Sequence, residues 1–394
     1  MRITEHSCSR PGGSSAPCEG RLTSLATLFT RPIACFVALL AVVSFPALGA
    51  LSQQEVASWI ISEGGTVSRN AQGEVTAVDL QSSWITDGDL EKIASLQALE
   101  DLNLSYTWIT DLGMEHLAEL ENVKHLNLYY TEYIGDGAIA HIQNWKNLEY
   151  LNLCGTKVTS GIFEHVAHFT KLKFLDVGFS RVTDDGFEDL TQLADLEELS
   201  LGGNKMSGVS LPLLKLLTSL KRLDLGGLQR TDSGLWSVAL SDFNMDAIEA
   251  LTDLEELNLR ATNVSDLGLE KLLGMKRLRS LDLSQTGVSS KGMETLTQLP
   301  ALQVLKLWKA EKMDDRGAAH FAAMKNLASL DLSETAITSE TLAQLGRAAS
   351  LRKLFLGGTK VTPEAVEQFR KAHPKVEVSV ANKPTANVKD PDFE

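Results

Sequence analysis

The segment LEELNLRATNVSDLGLEKLLGMKR (Leu254–Arg277) carries two periodicities. Leu257 and Leu259 alternate with polar residues, as a half-buried strand requires. Leu269, Leu272 and Met275 recur every third residue, the spacing of one helix face. A single strand and a single helical turn of this length cannot enclose a core. The segment needs neighbours of the same kind.

They are present. Counting the first leucine as position 1, equivalent segments begin at Val75, Leu99, Val123, Leu148, Leu172, Leu196, Leu220, Leu254, Leu278, Leu302, Leu327 and Leu351. The spacing is 24 or 25 residues, with one of 34. The common pattern, LxxLxLxxTxVxDxGLxxLxxLxx, resembles the leucine-rich repeat family, and most closely the Thr-type 24-residue repeats of exported, planctomycete-like bacterial proteins. The resemblance covers residues 75–380. It implies an α/β solenoid, a leucine-rich-repeat horseshoe with a parallel concave sheet and convex helices in about twelve repeats. Parallel strands stack about 4.8 Å apart whereas helices need about 8–10 Å, so such an array is expected to curve.

The ends read differently. Arg21 and Arg31 precede an uncharged run, Pro32–Ala50, which closes on Ala47, Leu48 and Gly49. Residues 1–50 therefore read as a leader, either a cleaved secretory signal or a retained signal-anchor through residues 32–50. Both readings export the rest of the chain to the periplasm, the cell surface or the medium. Residues 51–74 read as an N-terminal cap helix and hairpin strand, and 381–394 as a disordered polar tail.

Beyond residue 50 the chain holds 33 Lys and Arg against 49 Asp and Glu, a net charge of −16. Such a surface repels phosphate backbones, so nucleic-acid binding is excluded, and contact with a membrane is expected only through the anchor. Cys154 is the single cysteine outside the leader, so no disulfide framework forms. The sequence has no GxSxG, HExxH, phosphate loop or CxxCH, and it calls for no enzyme activity and no cofactor. His116, His141 and His165 share one helical position in consecutive repeats, with His168 nearby. No carboxylate column accompanies them, so they read as solvated histidines and not as a metal site.

Three polar columns have structural readings. Position 9 is Thr in seven repeats and reads as a shorter version of the asparagine that bonds the adjacent turn's backbone in this family. Thr-Asp and Ser-Asp pairs, such as Thr110–Asp111 and Ser265–Asp266, read as helix N-caps followed by an acid. Position 2 alternates in sign over eight turns, from Glu100 through Lys124 and Glu149 to Arg279, and reads as a charge ladder. The extra residues of the 34-residue repeat, within Thr231–Leu251, read as a longer convex helix that packs on its neighbours or as a functional insertion. Leu228 and Arg230, standing where Thr and Val are usual, predict a distortion of the array there.

The candidate binding surface is the exposed side of the strands. Position 5 is Asp or Asn in nine of twelve repeats and forms a polar stripe that includes Asn103, Asn127, Asn152 and Asp176. Aromatics crowd the first five repeats at positions that do not point inward: Trp84, Tyr106, Trp108, Tyr129, Tyr130, Tyr133, Tyr150, Phe174 and Phe179. Tyr and Trp dominate binding hot spots, so this face is expected to hold a protein ligand. The alternatives are a glycan or cell-wall ligand stacked on the rings, and self-packing of the rings. A substrate-recognition role in a ubiquitin-ligase-like system, which some relatives imply, is opposed by the leader and by the absence of an F-box-like segment.

Overall fold

The computed structural model describes residues 51–381. The expected leader (1–50) and the polar tail from 382 onward lie outside the described residues. Within them, fourteen strands form one sheet in chain order. The first, Thr66–Arg69, runs antiparallel to Val75–Asp79, and each later pair is parallel. Equivalent positions pair without slippage: Leu102 with Leu126 with Leu151, and Asn103 with Asn127 with Asn152. Short α and 3-10 turns such as Asp111–Glu115 and Gly268–Leu272 return the chain on the other side. The result is the leucine-rich-repeat solenoid that the period predicts.

Its core is one continuous column from Val56 to Val378. Leu257, Leu259, Leu269, Leu272 and Met275 are all fully buried, as is Trp145. At the N-terminal end, helix Gln53–Ser62 starts on a Ser52–Glu55 capping box and buries Val56, Ala57 and Ile60. At the other end helix Pro363–Ala372 precedes the last strand, Glu377–Ser379.

The expected distortion at the long repeat does not reach the sheet: Leu223 pairs directly with Leu257 across it. Its extra residues form a hairpin, Gln229–Thr231 with Gly234–Trp236, and not a longer helix. Thr231–Asp232–Ser233–Gly234 is a turn sequence, and Gly234 takes φ 121°. That local signal outweighs the apolar residues that follow.

Each turn leaves the sheet by the same backbone device. All nine Asp and Asn residues at position 5 accept the N–H two residues on, as Asn127 Oδ1 does from Tyr129 at 3.1 Å and Asp282 from Ser284 at 2.8 Å. The polar stripe is therefore a column of Asx turns. Position 8 then enters the left-handed region in every one of the twelve turns: Ser82, Tyr106, Tyr130, Phe179, Ala261, Gln285, Lys309 and Glu334 at φ 50–60°, and Gly155, Gly203, Gly227 and Gly358. This aims its N–H at the next turn, as Tyr106 donates to Tyr129 O at 2.9 Å and Ala261 to Ser284 O at 2.9 Å.

The threonines of position 9 depart from expectation. Thr107, Thr156, Thr262, Thr286, Thr335 and Thr359 donate to the carbonyl three residues back in their own turn, at 2.6–2.8 Å. Only Thr131 reaches the preceding turn, at Leu104 O. The hydroxyl arm is too short to do both, whereas Asn204 bonds Leu201 O at 2.9 Å and Val177 O at 2.8 Å.

Inter-turn clamping falls instead to the acid of the Thr-Asp pairs. Asp87 accepts the N–H and hydroxyl of Thr110 at 2.7 and 2.8 Å, and Asp266 those of Ser289 at 2.7 and 2.6 Å. Asp315 does the same for Thr338. Thr110 also caps its helix through Leu112 N–H, so the N-cap reading holds for the hydroxyl and misses the larger duty of the acid. The pattern's glycine follows from this. A Cβ at Gly292 would meet Asp266 Oδ1 at 2.3 Å, and one at Gly113 would meet Asp87 Oδ1 at 2.6 Å. The position-2 ladder resolves into the pairs Lys124–Glu100, Lys173–Glu149, Lys221–Glu197 and Arg279–Glu255, each base on the acid of the turn before.

Two outcomes follow. Ala261→Gly should raise stability in urea by about 0.5–1 kcal/mol, because left-handed strain exceeds the entropy a glycine adds to the unfolded chain. Gly155→Ala should lower it by about 1–3 kcal/mol by overpacking, since its Cβ would lie 2.8 Å from the Tyr130 ring. Equal signs for the two would refute the left-handed assignment.

Stability against pH separates the two carboxylate columns. Burial pushes Asp224 up to about 7, against bonds from Gly226 and Asn258, with Asp176 and Asp282 adding like charge. Its folded-state value lies above the unfolded one, so it favours the fold in acid and loses that contribution as pH rises toward 7. Asp224→Asn should therefore raise the urea midpoint at pH 8 and leave it unchanged in acid. Burial also raises Asp315, but bonds from Thr341 and Thr338 outweigh it and hold the carboxyl below its ordinary value of 3.8. Its contribution is present above that value and is lost as pH falls through the folded-state one. Asp315→Asn should be destabilising at pH 8, with a gap that closes in acid. Unfolding curves of both variants at the two pH values decide the matter.

Candidate functional site

The nine aromatic candidates divide into three groups. Along the loop edge, position 10 brings Trp84 and Trp108 into a stack with centroids 6.3 Å apart and planes 8° apart. Tyr133 continues it at 5.7 Å and 30°. The residue inserted in its 25-residue repeat is what carries Tyr133 into line. Trp84 is 81% exposed, Trp108 57% and Tyr133 44%. Lys157 Nζ then lies 4.3 Å from the Tyr133 centroid.

Nearer the strands, Tyr106, Tyr129 and Tyr130 form a triad with centroid separations of 4.7–5.9 Å. Tyr129 and Tyr130 are half-buried, and Tyr106 remains exposed. Burial pushes both the Tyr129 and Tyr130 phenols up, so they stay neutral hydroxyls at physiological pH. The Tyr130 ring lies on Gly155, and the half-buried Phe179 ring lies on Gly203 and Gly227, where a Cβ would come within 2.7–2.8 Å of it.

The third group lies on the strands at position 3. Asp101 pairs with His125, His125 meets Tyr150 edge-on at 6.1 Å, and Tyr150 stacks on Phe174 at 4.1 Å. Further along the same row Arg222 pairs with Glu198. Asp101, His125 and Tyr150 join Asp79, Asn103 and Asn127 around a shallow groove of about 420 Å³ on the sheet face, walled at one end by Thr66 and Ser68 of the N-terminal strand.

The structure thus gathers Trp84, Tyr106, Trp108 and Tyr133 at the surface, and Asn103 and Asn127 into the groove. Asn152 and Asp176 are 3% and 2% exposed, and their oxygens receive the N–H groups of Cys154 and Gly178. Asn103 and Asn127 make the same bond yet stay accessible, so it is burial that withdraws Asn152 and Asp176, and the polar surface is narrower than the sequence pattern predicts. His125 and Lys157 were missed by the sequence reading. The signal for them is that His125 shares position 3 with Tyr150, and Lys157 shares position 10 with Trp84 and Trp108.

Elsewhere, Trp308 is held by its own neighbours: Arg260 lies 4.8 Å from the ring and Nε1 donates to Glu334 at 3.2 Å. His168 Nδ1 sits 3.0 Å from Glu164 O. Among the described residues no three His, Cys, Asp or Glu side chains gather as metal ligands, and no helix is long and apolar enough to cross a membrane.

Comparison with known proteins bears on the fold. The leucine-rich repeat family model matches residues 95–118 and 250–273. No curated protein matches the chain. Among solved structures, the chain is similar to an internalin from Listeria monocytogenes, with 21% identity over 84% of this chain and 90% of that one, and a TM-score of 0.56. It is also similar to the mouse RP105/MD-1 complex structure, with 16% identity over 77% of this chain and 54% of that one, and a TM-score of 0.53. Two matching turns among twelve equivalent ones, stacked in register into a parallel sheet, make this chain a leucine-rich-repeat protein.

Proposed function

We propose that the protein is a non-enzymatic, exported binding module that holds a protein partner on the aromatic surface of its N-terminal turns. The observation that carries this is the exposure of Trp84, Trp108, Tyr106 and Tyr133 as neighbours in the first three turns. Exposed aromatic area of this kind is costly to leave wet and is characteristic of hot spots. In later turns the same positions hold residues such as Gly203, Gly227, Lys309 and Glu334, which offer no such area. The mouse structure of similar fold is itself a complex of two proteins. Export rests on the leader sequence alone. A glycan ligand is the second reading, favoured by the open ring of Trp84.

The test is retention of partners from a native extract by the immobilised protein. Trp84→Ala/Trp108→Ala should lose the retained protein by about tenfold or more, as expected when hot-spot aromatics are removed. Phe243→Ala, at a distant side chain that is 98% exposed, should retain it fully. Equal recovery by wild type and the double variant would overturn the proposal. Retention of a glycan and no protein would establish the second reading in its place.

A further inference from the structure

The edge stack is closed at one end and open at the other. At the far end the ammonium of Lys157 covers the outer face of Tyr133 at 4.3 Å. In the middle, Trp108 has a ring on either side. Trp84 belongs to the first repeat, so no repeat ring stacks on its outer side, and the residue is 81% exposed. Its free face carries the negative side of the ring quadrupole into solvent.

The charge around this end is one-sided. Residues 75–136 contain twelve Asp and Glu against two Lys, a net −10 of the chain's −14. Both lysines are engaged: Lys92 pairs with Asp89 and lies over Trp59, and Lys124 pairs with Glu100. A strongly acidic part of the chain therefore carries the most exposed ring of the stack.

We infer that the open face of Trp84 receives a cationic side chain, arginine foremost, from a basic segment of the protein partner. The inference rests on the binding function proposed above. Lys157 on Tyr133 already shows what a cation does at the other end of this stack. Arginine fits better than lysine at an open site because its planar, weakly hydrated guanidinium lies flat on an indole. A second copy of this acidic chain, a nucleic acid or an anionic membrane would be repelled. A neutral sugar could stack on the ring but would leave the surrounding carboxylates uncompensated.

The probe is a rhodamine-labelled peptide of alternating glycine and arginine, read by fluorescence anisotropy with the full chain. Its counterpart carries citrulline in place of arginine, which keeps the shape and removes the charge. The arginine peptide should bind at least tenfold more tightly, and its affinity should fall between about 50 and about 300 mM salt as the field is screened. Trp84→Ala should weaken it by about fivefold, the range of one cation–π contact, and Trp84→Phe should restore most of that loss. The exposed position of Trp84 allows these variants to fold, which thermal melting checks. Equal binding of the citrulline peptide overturns the inference, as does no binding at all. Tight arginine binding that ignores Trp84→Ala also overturns it, since charge alone would then suffice. If a native partner still depends on Trp84 and Trp108 while the peptide fails, the binding function stands and only the cationic contact falls.

Discussion

Everything in this fold depends on how each turn passes its backbone to the next where the chain leaves the sheet. The strands after Val75–Asp79 are three residues long, too short to hold register unaided. Register is kept because the ladder continues past the strand, through an Asx turn at position 5 and a left-handed residue at position 8. A left-handed residue with a side chain costs about 1–2 kcal/mol, and eight turns accept that cost. What they gain is an N–H that points along the stack instead of into water. The same geometry governs the surface. A side chain at position 8 leans over the next turn: Tyr106 stacks on Tyr130 and stays exposed, whereas a ring that meets a glycine there settles against the backbone. Tyr130 over Gly155, and Phe179 over Gly203 and Gly227, are therefore joint features of two turns, and the smooth glycine region is partly the seat of the aromatic one.

Two columns of aspartate run along the array with opposite electrostatic fates. At the loop edge, the carboxylates clamp the next turn's hydroxyl and amide, and these bonds outweigh the burial that would raise Asp184 and Asp315. On the sheet, the aspartates stand at least two strands apart, separated by Ser200, Asn258 or Lys306. Burial raises Asp224 and Asp282, and like charge from Asp176 and Asp282 adds to it at Asp224. Lys306 stands in register between Asp282 and Asp331 and partly offsets the burial of Asp282. The asparagines at position 5 serve the Asx turn without charge. A column mixing amide and acid keeps the turn and limits the repulsion, which accounts for its composition better than a ligand site does.

The fold was legible because its signal is repeated twelve times, and a period survives errors at any one turn. Inward positions were legible for the same reason: a leucine column can only face the core. What the sequence could not show was how far a side chain bends back onto its own backbone. Thr156 and Asn204 occupy the same column, and only arm length separates a bond within the turn from one between turns. Likewise Tyr129 and Trp108 both avoid inward positions, yet one is half-buried against other rings and the other stands in solvent. The long repeat departs from the expected helix because its Thr-Asp-Ser-Gly turn outweighs the apolar run that follows. His125 lies on a strand, outside the helical histidine column, and only the sheet register sets it beside Tyr150.

A solenoid restricts what an aromatic column can do. Rings carried at one position of successive turns are separated by the turn spacing, 6.3 Å and 5.7 Å here, so each covers the face of the next. Interior rings then offer only their edges, whose partial charge is positive and whose contact area is small. Faces, which bind cations and flat groups, survive only at the ends. One end of this column is occupied by a side chain of the protein itself, and the other falls where the repeats begin. A stack of this kind is therefore less a broad hydrophobic patch than a rigid support for a single terminal face. Trp108 and Tyr133 fix the plane of Trp84, and a ring held in place loses less rotamer entropy on binding than one that swings freely.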